Sequence, residues 1–508
     1  MHQGIPVFRS VTYNFLSQVW FFILPLVTSP YIVHHLGVDA YGVLSLATAV
    51  VGYLAVLDLG MGTATIKYIA DAYVDRDFSA ISKIIGTSIV IYSGLGLLGT
   101  LIILASANLI VLHILKVPAT MVSITLAVLY LSSLGFLINM PLAVFNSIPS
   151  ALQRFDIVAK QNMVLGTVTA LGQVALLALG YSLRALVAFN VGVSVIGIWV
   201  FVLIARRLLP PQTSFRPKYD GATAKRILRF SVLKVFSIIS GQIVFQLDKL
   251  LVAAFLPLAS VSYYVIPLGL AQRIISIIPN ITTAVFPAVS EFRSDREKLN
   301  DLYLRVAKGV LMVVLPIAMM LVVFARTILL LWMGPDFAAQ GTATLQYLAL
   351  AFFLASFAAV PGVFVEGLGK PEIPSLFAGI SAVLNLGFAL LLIPRIGIAG
   401  PAVALIFNSM ITVPLFIDRV NRKVLQVKNG TFVRRAVLKP LVAIAPACGL
   451  LMVLKSRVDS LLTLGAVALL ACVFYAALCL LLGVIDAAER KMIVEYWNIL
   501  RGGENKNG

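Results

Sequence analysis

A chain of 508 residues that is 60% hydrophobic and 12% charged, with a mean hydropathy of +1.01, is far too apolar for a water-soluble globule, in which about 25% of residues are charged. Its apolar residues run in stretches long enough to cross a bilayer and lack the strict alternation of a membrane β-barrel. The fold class expected is therefore an all-α integral membrane protein with no room for a soluble catalytic domain. The net charge of +18 would point to nucleic acid in a soluble protein; here the basic residues first orient the spans, and no nucleic-acid partner is expected.

Apolar runs bounded by charge or by Gly/Pro clusters predict about 14 transmembrane helices. They lie near residues 9–33, 41–70, 83–112, 118–148, 154–179, 184–206, 227–255, 260–290, 303–332, 343–368, 372–394, 398–418, 437–455 and 459–485. An even number of spans puts both termini on one side. The loops and tails of that side, from Arg9 to Lys506, hold 29 of the 39 Lys and Arg residues, whereas the opposite side holds only Lys116, Arg184, Arg326, Arg395, Lys455 and Arg457. The excess assigns both termini and the basic loops to the cytoplasmic side of a multi-pass cell (inner) membrane protein. The two richest basic loops, 206–229 with Pro210-Pro211 and 419–439, follow the sixth and twelfth spans. That punctuation predicts a six-helix lobe over 1–207, a basic linker over 208–229 and a second six-helix lobe over 230–422. A basic loop (423–436), two extra helices (437–485) and a cytoplasmic tail (486–508) complete the layout. Cys448, Cys472 and Cys479 lie in apolar runs without metal-ligand spacing and read as small lipid-facing or packing residues. His34-His35 have no third ligand nearby in sequence, so no metal and no cofactor is expected.

A weak internal repeat accompanies this layout. Phe8-Arg9-Ser10-Val11 opening the first helix parallels Phe230-Ser231-Val232 opening the seventh, and Val38-Asp39-Ala40-Tyr41-Gly42-Val43 parallels Ser260-Val261-Ser262-Tyr263-Tyr264-Val265. An even number of spans separates the copies, so the two halves share one orientation, as in transporters with parallel repeats.

The same residues carry a likeness to a known family. Leu36-Gly37-Val38-Asp39-Ala40-Tyr41-Gly42, then Asp58-Leu59-Gly60-Met61-Gly62 and Ile66-Lys67-Tyr68-Ile69-Ala70, resemble the opening of the polysaccharide biosynthesis transporters, the Wzx-type flippases for lipid-linked oligosaccharides. Gln246-Leu247-Asp248-Lys249-Leu250-Leu251-Val252 resembles the family's seventh-helix motif, and Tyr263-Tyr264 its second-repeat turn. These motifs mark the wider superfamily, which includes lipid II flippases and multidrug exporters, better than any one substrate. The resemblance implies two six-helix lobes in a V shape that alternate between inward-facing and outward-facing states. It also implies a central cavity for an undecaprenyl-diphosphate-linked glycan, with membrane lipids and glycan polymerase machinery as further partners.

An ionisable side chain near mid-bilayer costs about 2.5 to 3.5 kcal/mol on insertion scales, so it faces a cavity or a partner. Lys234, Lys67 and Glu366 lie close enough to helix ends to snorkel. Asp58, Asp248, Lys249 and Arg273 are deeper, and with Lys67 they form the set of substrate or cavity candidates; Lys234, Gln242, Gln246 and Asn14 are secondary. Asp248 and Lys249 are adjacent and point about 100° apart on a helix, so they do not pair face to face. Arg273, flanked by Gln272 and by Pro267, Gly269 and Pro279, offers a guanidinium fork suited to a diphosphate or an acidic sugar; an internal Arg273–Asp248 salt bridge is the alternative. Asp58, on the first lobe, either couples transport to protons or ions by pairing with those cations in one state, or caps the helix break made by Gly60 and Gly62.

The function these features favour is a flippase that moves a polyprenyl-diphosphate-linked oligosaccharide from the cytoplasmic to the outer leaflet for O-antigen, capsule or exopolysaccharide assembly. An exporter of drugs or organic ions shares the architecture, but Lys249 and Arg273 would repel a cationic drug. A membrane glycan polymerase needs a sizeable outer loop, and the longest here, near 332–343, carries only Asp336. No Walker loop supplies ATP-driven transport.

Overall fold

The computed structural model describes residues 4–58, 60–282 and 285–486; side chains are described for the same residues except 4–16, 55 and 232–245. Among the described residues every regular element is a helix. It runs α1 (Gly4–Leu36), α2 (Val38–Leu54), α3 (Met61–Val74), α4 (Phe78–Leu109), α5 (Val122–Ala151), α6 (Phe155–Ala178), α7 (Leu183–Leu208) and α8 (Gly221–Phe255). It continues through α9 (Ala259–Ala271), α10 (Arg273–Ser276), α11 (Ile278–Thr282), α12 (Phe286–Glu291), α13 (Arg296–Val323), α14 (Ala325–Met333), α15 (Pro335–Ser356) and α16 (Ala359–Gly367). The last five are α17 (Glu372–Ile396), α18 (Gly400–Val420), α19 (Asn429–Phe432), α20 (Lys439–Leu454) and α21 (Leu461–Leu481).

Among the described residues, 12 stretches are long and apolar enough to span a bilayer. The sequence predicts about 14, and the difference lies at two places. Glu372–Leu425, at 54 residues, holds both α17 and α18, more than twice the roughly 20 residues one crossing needs. α8, the seventh expected span, contains 232–245 and is not among the twelve. Two expected spans are also broken. The run 41–70 divides at a 3-10 turn, Ala55–Asp58, because Gly60 adopts φ 75° in the left-handed region before α3 begins, a conformation that disfavours residues with a Cβ. The run 260–290 divides into α9 to α12 around Pro267 and Pro279, where missing or displaced backbone hydrogen bonds are tolerated only if protein meets the freed groups.

Contacts divide the chain into two compact units, 1–265 with 381–401, and 266–380 with 402–508. In the first, a buried core of Met61, Ile69, Ile85, Tyr92, Phe136, Val144, Ile148 and Phe201 joins α3, α4, α5 and α7. α8 is joined to this unit by close approach to α2. A Cβ on Gly42 would meet the Leu258 carbonyl oxygen at 2.8 Å, and one on Gly52 would meet the Gln246 amide at 3.3 Å; glycine lets helix backbones approach this closely. Ser262 Oγ donates to Val38 O at 2.6 Å, so the two copies of the repeated turn motif touch. At the C-terminal end of α8, Lys116 from the α4–α5 connection donates its backbone N–H to Ala253 O (2.9 Å) and its ammonium to Phe255 O (2.6 Å), placing a cation at the negative end of the helix dipole.

In the second unit, α13 packs against α20 and α21 through Leu315, Ala443, Ile444, Ala447, Tyr475 and Cys479, and further along through Phe324, Leu451 and Ala471. A polar chain closes the end of α18. Tyr303 Oη donates to Asn421 Oδ1, Asn421 Nδ2 to Asn429 Oδ1 (both 2.9 Å), and Asn429 Nδ2 to Asp418 Oδ1 at 2.5 Å. The Tyr303 ring stacks on Phe432 with centroids 5.2–5.4 Å from Phe364 and Phe432.

The seam between α2 and α8 predicts a contrast. Gly42→Ala forces its methyl against the Leu258 carbonyl and destabilises the protein by about 1–3 kcal/mol, whereas Gly94→Ala in α4, with nothing within 4 Å of its added Cβ, leaves the unfolding temperature unchanged or slightly higher. Thermal unfolding of the two variants in detergent checks both.

Candidate functional site

α8 carries Asp248 to a point where it is 2% exposed. Bare burial of a carboxylate is prohibitive, and here two neutral side chains meet it. Tyr264 Oη, from α9, donates to Oδ2 at 2.9 Å, and Asn385 Nδ2, from α17, donates to Oδ1 at 3.4 Å. Tyr264 is fully buried and Asn385 is 1% exposed. Next to Asp248 on α8, Lys249 Nζ donates to Gln246 Oε1, about one turn back, at 2.9 Å, so the lysine bonds along its own helix, in keeping with its 100° offset from Asp248. Both Lys249 and Gln246 are half-buried.

Two oxygens at this site are buried without a hydrogen-bond partner: Asn385 Oδ1 and the hydroxyl of Tyr53 on α2, the latter within electrostatic range of Asp248. Buried polar atoms are seldom left unmet. A carboxylate with orphaned neutral oxygens beside it can take up a proton or a small hard cation without any change of partners. No group of three or more His, Cys, Asp or Glu side chains that could hold a metal ion exists among the described residues.

The other expected site residues are distributed differently. Asp58 ends the 3-10 turn before Gly60, and its Oδ1 accepts from the hydroxyl of Tyr92, which is 1% exposed. Each of the deep carboxylates is thus held by a buried tyrosine. Lys67 is exposed, its ammonium 5.1 Å from the centroid of the Phe230 ring and 5.8 Å from that of Tyr68, a cation–π position at the start of α8. Arg273 lies in the second unit at the break between α9 and α10, half-buried, its carbonyl accepting from Ser276 Oγ at 3.0 Å. Among the described residues, the hydrogen bonds to Asp248 come from a tyrosine and an amide. Lys234, Gln242 and Asn14 lie outside the residues whose side chains are described.

Three partners escaped the sequence reading: Asn385, Tyr92 and the pairing role of Tyr264. Asn385 carries the signal used for the other amides, a lone polar residue in the apolar run Ala382-Val383-Leu384-Asn385-Leu386. The second unit holds an apolar cavity of about 430 Å³ between α15, α18 and the segment leading into α20, lined among others by Phe357, Met410, Val413, Ile417, Val433 and Val437.

Removing the Tyr264 hydroxyl leaves Asp248 Oδ2 unmet, and Tyr264→Phe is expected to destabilise the protein by about 1–3 kcal/mol. Asp248→Asn combined with Tyr264→Phe costs less than the two single changes together, read as unfolding free energies in a double-mutant cycle; strict additivity contradicts the pair.

Comparison with known proteins adds the following. The family described as "Polysaccharide biosynthesis protein" matches residues 35–340. The "Putative O-antigen transporter" of Shigella flexneri is 25% identical over 385 residues, 73% of this chain and 87% of that protein. Among solved structures, a lipid II flippase, MurJ, in an inward closed conformation is similar with a TM-score of 0.68 and 15% identity, over 91% of this chain and 98% of that one. An inward-facing multidrug resistance MATE family transporter of the MOP superfamily gives a TM-score of 0.66 and 17% identity over 79% and 95%. At those identities the structural likeness establishes a shared fold.

Proposed function

Because the chain belongs to the polysaccharide biosynthesis protein family, we propose that it is a flippase carrying a polyprenyl-diphosphate-linked oligosaccharide from the cytoplasmic to the outer leaflet of the cell membrane. The observation that carries this reading is the charge kept inside the apolar spans, above all the fully enclosed Asp248 with Lys249 beside it. Charge at that depth is expensive and is retained where it serves transport. The relative from Shigella flexneri, named for O-antigen, supports a glycan cargo.

In this reading Arg273 and Lys249 are, each in its own unit, the cations offered to the diphosphate. The guanidinium fork donates paired hydrogen bonds and the ammonium acts as a point charge. Gln246, together with Gln242 and Asn14, supplies neutral hydrogen bonds of the kind sugars accept. The apolar cavity beside Val433 and Val437 is a place for the start of the polyprenyl tail, next to the two helices that follow the second lobe. Two lobes, 1–207 and 230–422, exchange between inward-facing and outward-facing states, with both termini in the cytoplasm. Coupling to a proton or an ion falls to Asp248, which has orphaned oxygens at Asn385 and Tyr53 beside it, and to Asp58.

The fold shared with a multidrug transporter favours one other reading, export of an organic ion. A cationic drug would meet Lys249 and Arg273 with like charge, and like-charge juxtaposition in a low dielectric costs several kcal/mol, so an anionic cargo fits this chain better.

Complementation of a flippase-null strain, scored for surface glycan, tests the proposal. The wild-type chain restores export, and Arg273→Ala with Lys249→Ala reduces it at least about tenfold while the protein remains in the membrane, as expected when two charge-assisted contacts of roughly 1.5 kcal/mol or more are removed. Full export by the double variant sinks the cationic-site reading. Unchanged glycan with altered drug susceptibility would favour the exporter.

A further inference from the structure

We propose that the second unit binds the phosphodiester headgroup of an anionic phospholipid in a basic pocket between α13 and the segment opening α20, at the end of the α13–α20–α21 bundle. The pocket, about 300 Å³, is lined by Arg305, Lys308, Arg435 and Lys439 with Asp301 and Asp486. Four cations against two carboxylates leave it with a formal charge of +2.

Its position selects the ligand. The pocket sits where three apolar segments end together: α13 is apolar from Gly309 to Val323, α20 is apolar from Leu441 onward, and α21 ends at Leu481. Immediately beyond it on the bilayer side the same three helices pack through Leu315, Ala443, Ile444, Tyr475 and Cys479. A site at the boundary between apolar bundle and polar loop lies at headgroup depth, where basic pockets between transmembrane helices take lipid phosphates. The basic loops assign this end to the cytoplasmic leaflet, although binding itself does not depend on that assignment or on the cargo proposed above.

The walls of the pocket are built. Lys308 is 5% exposed, and its ammonium donates to Val484 O at 2.7 Å and lies 3.5 Å from Asp486 Oδ2. Lys439 donates to Gly483 O at 3.3 Å. Both lysines thus reach the turn that follows α21, where Gly483 stands at φ 62°, and the buried Lys308 fixes the back of the pocket. Arg305 is held by Asp301 at 2.6 Å. Arg435 and Lys439 are exposed at the front. Arg435 supplies the planar fork that matches phosphate geometry, and Lys439 a second charge.

The test uses the purified full-length protein in detergent, titrated with phosphatidylglycerol, phosphatidylcholine or inorganic phosphate while the unfolding temperature is followed. Phosphatidylglycerol is expected to raise that temperature in a saturable way, and phosphatidylcholine is not. Arg435→Gln with Lys439→Gln weakens the apparent affinity by about tenfold or more, because two charge-assisted contacts are lost, while Arg435→Lys, which keeps the charge and loses the fork, weakens it less than that double variant does. Equal effects of the two lipids, or an undiminished response in the double variant, overturn the site. The same stabilisation by inorganic phosphate at matched concentration overturns the lipid assignment. The two substituted side chains are exposed, so the variants are expected to fold, and their unfolding temperatures without lipid check that they do.

Discussion

Hydrocarbon offers a carboxylate no hydrogen bonds, and much of the first unit is arranged around meeting that constraint at Asp248. The cost of a bare buried charge far exceeds what one neighbouring helix can offset. Two donors answer it, from stretches 16 and 137 residues further along the chain. Because Tyr264 and Asn385 must both reach one carboxylate, α8, α9 and the second half of α17 are fixed relative to each other. This accounts for 381–401 belonging with 1–265 despite lying far away in sequence. The neutrality of the partners matters chemically: a tyrosine and an amide satisfy Asp248 without cancelling its charge, so it remains able to exchange a proton or a cation.

The close approach of α2 to α8 at Gly52, and to the α8–α9 connection at Gly42, is the steric side of the same arrangement. Only a surface stripped of side chains brings the α2 backbone near enough for Ser262 to reach Val38 and for Tyr53 to stand beside the carboxylate. The repeated turn motif, weak as sequence, acquires a physical meaning in that contact, since its two copies are one another's neighbours. The second unit relies on a different means, a run of side-chain hydrogen bonds from Tyr303 to Asp418 that satisfies the end of α18 where its backbone loosens before Gln426.

What the sequence disclosed follows from the range of each interaction. Hydropathy is local, so the spans and the all-α class were legible, as was the placement of Asp248 and Lys249 within an apolar run. Proline and glycine act locally too, and Pro267, Gly269 and Pro279 marked the region that breaks into α9 to α12. The division at Gly60 entered only as an alternative, the helix break of Gly60 and Gly62 that Asp58 would cap, because the apolar run continues across it. The 3-10 turn Ala55–Asp58 and the left-handed Gly60 separate α2 from α3. Partnerships were not legible at all: nothing near residue 248 names Asn385, and nothing near Asp58 names Tyr92, because those pairings are set by tertiary packing. Lys67 shows the converse, a charge with a family-like motif around it that lies exposed over an aromatic ring.

The distance between Asp248 and Asn385 also has a consequence for how the chain is made. Synthesis runs from the N-terminus, so α8 must enter the membrane when Tyr264 is only just emerging and Asn385 has yet to be translated. During that interval the carboxylate meets lipid or the insertion machinery with its final amide partner missing, at a penalty of about 2.5 to 3.5 kcal/mol for a mid-bilayer Asp. α8 is therefore expected to insert reluctantly on its own, and its approach to α2 at Gly52 is a contact available before α17 is made. A chain truncated before residue 385 lacks the amide that completes the pairing of Asp248 on α8.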